Sequence, residues 1–232
     1  MLIREINESK GRVDPDYAGL KFDNAGVGTP SNHRRHVGGL WDEMGELQLN
    51  FLKEAGLRPN HTFLDVGCGC LRAGRYLVDY LDTNNYYGID VNATLIEQGY
   101  KEEFTDALRA RLLPRNLLAT DRFNIDFDQT FDFAIAQSVF THIHLNNMKL
   151  CLHRVAKAMK PGGSFFVTFF EMDPSAEIDE MQGKKFYERN LYYYKKSDME
   201  WVADPAQWNF TYIGNWNHPR NQRMVKYVRR AT

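Results

Sequence analysis

Cysteine is scarce: the 232 residues hold three, at positions 68, 70 and 151. An odd and small set gives no disulfide framework. Cys68 and Cys70 stand one residue apart, tighter than the spacing of a zinc pair, and no His-x3-5-His accompanies them, since His142 and His144 are only two apart. A redox pair separates its cysteines by two residues. No metal is expected, and both cysteines read as small buried residues beside a turn. Surplus charge is lacking too. Lys and Arg number 29 against 30 Asp and Glu, a net charge of −1, which offers no general attraction to nucleic acid or an anionic membrane. No apolar run is long enough to cross a bilayer, and MLIREINESK contains no apolar signal core. The expectation is a cytoplasmic protein without nucleic-acid or membrane partners; oligomeric state has no signature.

What is present suits one α/β domain, with 43% hydrophobic residues. Leu40, Met44, Leu47 and Phe51 recur at helical spacing before Gly56 and Pro59. The apolar strand 62–66 ends in a glycine turn, followed by a helix over 71–81, a strand at 86–90 and a helix from an Asn92 cap to about 112. Strands at 117–121 and 131–137, a helix over 146–159 and a strand at 164–170 continue the alternation. Ser197 with Glu200 reads as a capping box for a helix over 198–203. Segments 209–216 and 223–230 are separated by only NHPRNQ, too short for a parallel crossover, so they form an antiparallel hairpin. Apolar strands alternating with helices indicate a parallel sheet covered on both faces. Residues 1–39 read as an arm or lid, 40–232 as the domain, and 171–196, with FYERNLYYYKK, as a lid inserted over the pocket.

The run DVGCGCLRAGR carries the chemistry. A strand, a glycine turn and a helix face a ligand with backbone N–H groups. Gly67 and Gly69 give the first two positions of the dinucleotide fingerprint G-x-G-x-x-G, but Arg72 stands at the third, which weakens an NAD reading. Asp65 lies just before the loop and Asp90 ends the next strand. An acid inside the cradle repels a pyrophosphate and suits a ligand carrying an ammonium and a sulfonium.

In LDVGCGCLRAGR, YYGID, FDFAIAQSVFTHI and KPGGSFFVTF, in that order, the chain resembles the class I S-adenosylmethionine-dependent methyltransferases over roughly residues 40 to 230. The resemblance implies a single Rossmann-like, doubly wound, mostly parallel sheet of seven strands with an antiparallel C-terminal strand and helices on both faces. It implies S-adenosyl-L-methionine as cofactor and S-adenosyl-L-homocysteine as product. Asp65, Gly67, Cys68 and Gly69 then lie around the methionine part. Asp90, with Val91 beside it, matches the acid that binds both ribose hydroxyls. Asp121, Arg122 and Phe123 border the adenine, and Gln137 and Ser138 lie beside the methyl group. Arg72 either contacts the cofactor or caps the helix after the loop.

Fold does not name a substrate. The expected acceptor is a small molecule or glycan, methylated on oxygen in a sugar, glycan or secondary metabolite. Alternatives are an N-methyltransferase on a small amine, an NAD-binding oxidoreductase and a non-catalytic cofactor-binding regulatory subunit. His142 and His218 are the candidate bases for a hydroxyl acceptor, His142 preferred. Trp41, Tyr192, Tyr194 and Arg220 are candidate substrate contacts. Trp41 equally suits the core, and Asn217 to Arg220 equally suits an ordinary hairpin turn. His33-Arg34-Arg35-His36 reads as a solvated charge cluster, with closure over the site as the alternative.

Overall fold

The computed structural model describes residues 3–6, 32–173, 175 and 191–231. Most of the 1–39 arm, part of the 171–196 lid and the first half of FYERNLYYYKK lie outside the described residues. The chain forms two compact units, Met1–Phe133 and Ala134–Thr232.

In the first unit the elements are β1 (Arg4–Ile6), α1 (Asn32–His36), α2 (Trp41–Glu54), β2 (Phe63–Val66), α3 (Arg72–Tyr80), β3 (Tyr86–Asp90), α4 (Ala93–Glu103), α5 (Asp106–Arg109) and β4 (Leu117–Thr120). Its strands lie in the order β1-β4-β3-β2, all parallel. β2 and β4 are buried at every position, the pattern of strands covered on both faces rather than of an alternating half-exposed sheet. Strand β5 (Phe131–Ala136) carries the chain into the second unit. There α6 (Leu145–Ala158), β6 (Met159–Glu171), β7 (Tyr193–Tyr194), α7 (Lys196–Trp201), β8 (Trp208–Asn215) and β9 (Arg223–Arg229) follow. β7 pairs parallel with β6, while β9 is antiparallel to both β6 and β8.

The class is Rossmann-like α/β with an antiparallel C-terminal strand, as the sequence indicates. The strand count differs: the described residues contain nine strands, not seven. The additions, β1 and β7, have three and two residues. Such lengths show no period, and each strand exists because a longer neighbour supplies its hydrogen-bond partners.

Three local expectations also change. The buried face of α2 is Trp41, Met44, Gly45, Gln48 and Leu52, whereas Leu40 is the left-handed residue preceding the helix and is exposed. The expected helix to residue 112 stops at Glu103, because Phe104 turns extended and Thr105 caps the separate helix α5. Helix α7 begins two residues early: its first-turn Asp198 accepts from the Lys195 N–H at 2.8 Å, so the reciprocal pair expected at Ser197 and Glu200 is not the cap.

Candidate functional site

The glycine loop joins β2 to α3. Gly67, Gly69 and Leu71 all have positive φ (74°, 53° and 64°), which folds the loop back on itself. The N–H groups of Gly67 and Cys68 donate to Ile89 O at 2.7 and 2.9 Å. The Gly69 N–H donates to Asp90 Oδ2 at 2.8 Å, and Asp90 Oδ1 accepts from the Asn92 N–H at 2.9 Å. Asp90 thus holds both the loop and the start of α4. Helix α4 comes close enough that a Cβ on Gly99 would lie 2.7 Å from Cys70 Cα and nearer still to its carbonyl. At Gly69 a Cβ would meet Val37 Cγ1 at 3.2 Å, so the arm as well as the ligand space limits that position.

Asp65 is buried and accepts a hydrogen bond from Tyr86 OH at 2.8 Å. Burial pushes its carboxyl up to about 7; the Tyr86 bond opposes this, the Asp90 charge adds to it, and Arg72 opposes it more weakly. Burial also raises Asp90, against the hydrogen bonds from Asn92, Gly69 and Val91. The cradle is therefore short of positive charge, which is the deficit an ammonium and a sulfonium would fill. Buried Asp65, half-buried Asp90 and the positive-φ turn would suit S-adenosylmethionine, with Asp65 toward the ammonium and Asp90 toward the ribose hydroxyls.

Of the His33–His36 cluster, His33 and Arg34 are engaged by the fold, while Arg35 is exposed. His33 is buried, with Nε2 2.6 Å from Glu103 Oε1, and Arg34 donates to both Glu103 oxygens at 2.6 and 2.5 Å. Burial alone would raise Glu103, but the hydrogen bonds from His33 and Arg34 outweigh it and hold the carboxyl at about 2. Arg72 donates to Val37 O and Gly39 O at 3.1 and 3.0 Å, which ties the same segment to the loop. Neither role weighed for Arg72 from sequence anticipates this one. Trp41 packs with Cys70, Leu95 and Val37 in an apolar cluster, the core alternative for that residue. The cysteines are buried thiols: Cys68 lies against Gly88, and Cys70 Sγ is 3.5 Å from His33 O.

After β4, Thr120 Oγ1 accepts from the N–H groups of Arg122 and Asn124 at 3.4 and 3.0 Å, and Phe123 takes φ 58°. Asp121, Arg122 and Phe123 therefore sit on a turn set by Thr120. Sequence reading missed that residue, although a Thr two and four residues before the turn's N–H groups is a recognisable signal. β1, also missed, pairs Ile6 with Thr120 on the adjacent edge.

The second unit gathers a different set. Ser138 has φ 60° and its N–H donates to Thr168 Oγ1 at 2.7 Å. Gln222 bridges the two, accepting from Thr168 Oγ1 at 2.7 Å and donating from Nε2 to Ser138 Oγ at 2.8 Å. Gln137 Nε2 lies 2.6 Å from Ser138 Oγ and 3.2 Å from His218 Nε2. His218 is buried, and its Nδ1 accepts the Arg220 N–H at 3.0 Å. The Arg220 residue itself is exposed. His142 sits half-buried on the loop after Ser138, its N–H donating to Val139 O at 2.9 Å. Tyr192 and Tyr194 hold that loop: the Tyr192 N–H donates to Thr141 O at 2.9 Å and Tyr194 OH to Ile143 O at 2.7 Å. Tyr192 OH also lies 3.2 Å from His144 Nε2.

Comparison with known proteins agrees with this geometry. Residues 64–165 match the family model described as a methyltransferase domain. Phosphoethanolamine N-methyltransferase 2 of Caenorhabditis elegans is 24% identical over 163 residues, 68% of this chain and 34% of that protein. Ubiquinone biosynthesis O-methyltransferase of Hydrogenovibrio crunogenus is 25% identical over 157 residues, 63% of this chain and 61% of that protein. The chain thus spans about a third and about three-fifths of the lengths of these two curated relatives. Among solved structures, magnesium protoporphyrin IX methyltransferase from Synechocystis PCC 6803 with bound SAH superimposes with a TM-score of 0.59 at 14% identity, covering 88% of this chain and 90% of that one. An S-adenosylmethionine-dependent methyltransferase from Clostridium acetobutylicum gives 0.59 at 15% identity, covering 85% and 95%. Residues 64–165, somewhat under half of the chain, are thus similar to the methyltransferase-domain family, and the solved structures share the Rossmann-like α/β fold.

Proposed function

We propose that this chain is an S-adenosylmethionine-dependent methyltransferase that modifies a hydroxyl of a small polar acceptor. The observation that carries the cofactor assignment is the acid pair of buried Asp65 and half-buried Asp90 around a positive-φ glycine turn, an arrangement short of positive charge. When bound, the cofactor supplies an electrophilic methyl group on sulfur. The chain's residues do the rest by holding and orienting, plus one proton transfer. Asp65 would hold the cofactor's methionine end and Asp90 its ribose, and Thr120 shapes the turn assigned to the adenine.

For the acceptor, the Gln137–Ser138–Thr168–Gln222 cluster is neutral and made of hydroxyls and amides, which suits an uncharged polyhydroxylated molecule. His142 is the proposed base: its loop is pinned by Tyr192 and Tyr194, whereas the Nδ1 lone pair of His218 is committed to the Arg220 N–H. Tyr192 and Tyr194 then serve the acceptor side by fixing this loop.

The test has two stages. Titration calorimetry with S-adenosylhomocysteine and, separately, NAD should show binding of the first alone; NAD binding without the other would overturn the assignment. Methyl transfer is then measured onto methyl β-D-glucopyranoside, catechol and phosphoethanolamine. Turnover on the hydroxyl acceptors supports the reading; turnover on phosphoethanolamine alone moves it to an amine.

A further inference from the structure

In the run GCGCLRAGR the third glycine falls at position 74, two residues beyond the place that the dinucleotide fingerprint gives it. It stands in α3, where a Cβ would lie 2.7 Å from Tyr86 Oη and 2.9 Å from Tyr86 Cζ. The tyrosine ring has nowhere to retreat. It is 1% exposed and lies against Phe63, with ring centroids 6.2 Å apart and planes 11° apart. Asn116 Nδ2 donates to its backbone carbonyl at 3.2 Å. Gly74 is therefore the space into which the Tyr86 hydroxyl reaches.

Strands β2 and β3 pair with Phe63 opposite Tyr86 and Asp65 opposite Gly88. Tyr86 is thus the diagonal neighbour of Asp65 on one face of the sheet, within reach of a long aromatic side chain. Its hydroxyl donates to Asp65 Oδ2 at 2.8 Å. Burial holds this phenol well above its ordinary range, so it remains a donor at neutral and mildly alkaline pH. The other carboxyl oxygen, Oδ1, has no hydrogen-bond partner among the described residues. The charged groups that face Asp65 are Asp90 on β3 and Arg72 on α3, while burial keeps the Cys68 thiol beside it neutral. The Tyr86 bond also opposes the rise that burial imposes on the Asp65 carboxyl, so losing the hydroxyl costs charge as well as aim.

We propose that Tyr86 is a positioning residue for the cofactor: admitted by Gly74, its hydroxyl pins Asp65 Oδ2 and leaves Oδ1 to meet the cofactor's ammonium. This rests on the cofactor reading above and adds a specificity to it. The Tyr86–Asp65 pair recognises the amino-acid end of the ligand and is indifferent to the nucleoside.

Titration calorimetry of the full chain with two ligands tests this. S-adenosylhomocysteine carries the ammonium; 5′-methylthioadenosine keeps the adenosine and the sulfur but lacks the amino-acid end. Tyr86→Phe should weaken S-adenosylhomocysteine about fivefold or more at pH 7 and leave methylthioadenosine unchanged. That loss should narrow toward pH 9, because without the hydroxyl the pH of half-maximal affinity moves up by about one. Gly74→Ala displaces the hydroxyl without removing it and should act in the same direction, which keeps the test open if Tyr86→Phe does not fold. Added to Tyr86→Phe, it should change the ratio of the two affinities no further. Equal weakening of both ligands would make the hydroxyl a support of the fold alone. An unchanged S-adenosylhomocysteine affinity and pH profile would remove Tyr86 from recognition. Either result overturns the proposal while the cofactor reading stands. If the wild type binds neither ligand, the cofactor reading falls and the proposal falls with it.

Discussion

The two units solve opposite electrostatic problems. In the first, buried Asp65 and half-buried Asp90 stand around a glycine turn, and desolvation raises both carboxyls. A fold that keeps acids in such a place leaves an imbalance that a cationic ligand removes. In the second, Gln137, Ser138, Thr168 and Gln222 form a neutral cluster in which hydroxyls and amides answer one another. Under the proposed function it serves an uncharged acceptor with oxygen atoms. The contrast separates what each unit contributes: charge complementarity in one, orientation in the other. Variants should therefore fall into two kinds, those that lose cofactor affinity and those that lose turnover.

The largest effect expected is on turnover. His142→Ala removes the proposed base and should lower the turnover number by about 10²–10⁴, while calorimetry shows the same S-adenosylhomocysteine affinity as wild type. Near-wild-type turnover would show that transfer proceeds by proximity alone, and an amine acceptor would follow.

Next comes Asp90→Ala, which tests the first unit. Hydrogen bonds to a charged group are worth roughly 1.5–3 kcal/mol each, so loss of the ribose contacts alone should weaken S-adenosylhomocysteine at least about tenfold. The structure adds a second cost, because the same carboxylate accepts from the Gly69 and Asn92 N–H groups. Asp90→Asn, which keeps one acceptor oxygen, should lose less. Equal affinity in wild type and Asp90→Ala would show that the ribose is misplaced.

These cases show where sequence was sufficient. The strand-turn-helix and its two acids are legible because they are contiguous: Asp65, Gly67 and Gly69 share one short run, and Asp90 ends the next strand. The helix–strand alternation is legible because β2 and β4 are apolar throughout. What failed to show depends on distant partners. Arg34 and His33 look solvated until Glu103, 69 and 70 residues away, is placed against them. Arg72 looks like a cap until Val37 O and Gly39 O come to it. The α2 face was misjudged because Gln48 and Trp41 are buried while Leu40 is not, and β1 and β7 are too short to carry a period.

A smaller effect is expected at Asp65, where function and stability pull apart. Its carboxyl titrates near 7 in the fold against an ordinary value of 3.8. The native state therefore holds a proton that the unfolded chain has lost, so stability falls as pH rises from about 4 to about 7 and stays reduced above that. Asp65→Asn removes this penalty. At pH 8 the ligand-free variant should melt higher than wild type, and the gap should close toward pH 4. S-adenosylhomocysteine should bind the variant about tenfold more weakly, since its ammonium loses a charged partner. In the wild type, affinity should fall as pH drops below about 7. A wild-type affinity flat from pH 5 to 8 would place the ammonium elsewhere.

The smallest effect is expected at Cys70, which lies inside the cradle and invites a reactive reading. Its thiol is fully buried, packs with Trp41 and Leu95, and lies 3.5 Å from His33 O. Burial pushes the thiol upward, so the nucleophilic thiolate is not populated at neutral pH. Cys70→Ser keeps the shape and puts a hydroxyl where it can donate to the same carbonyl. Cofactor affinity and turnover should stay within about twofold, with a stability loss of about 1 kcal/mol for a buried hydroxyl in an apolar cluster. Iodoacetamide should label the native protein far more slowly than the denatured chain, with adducts counted by mass spectrometry. Rapid native alkylation at Cys70 together with loss of activity in Cys70→Ser would give the thiol a role in the cradle, and the first unit would then do more than balance charge.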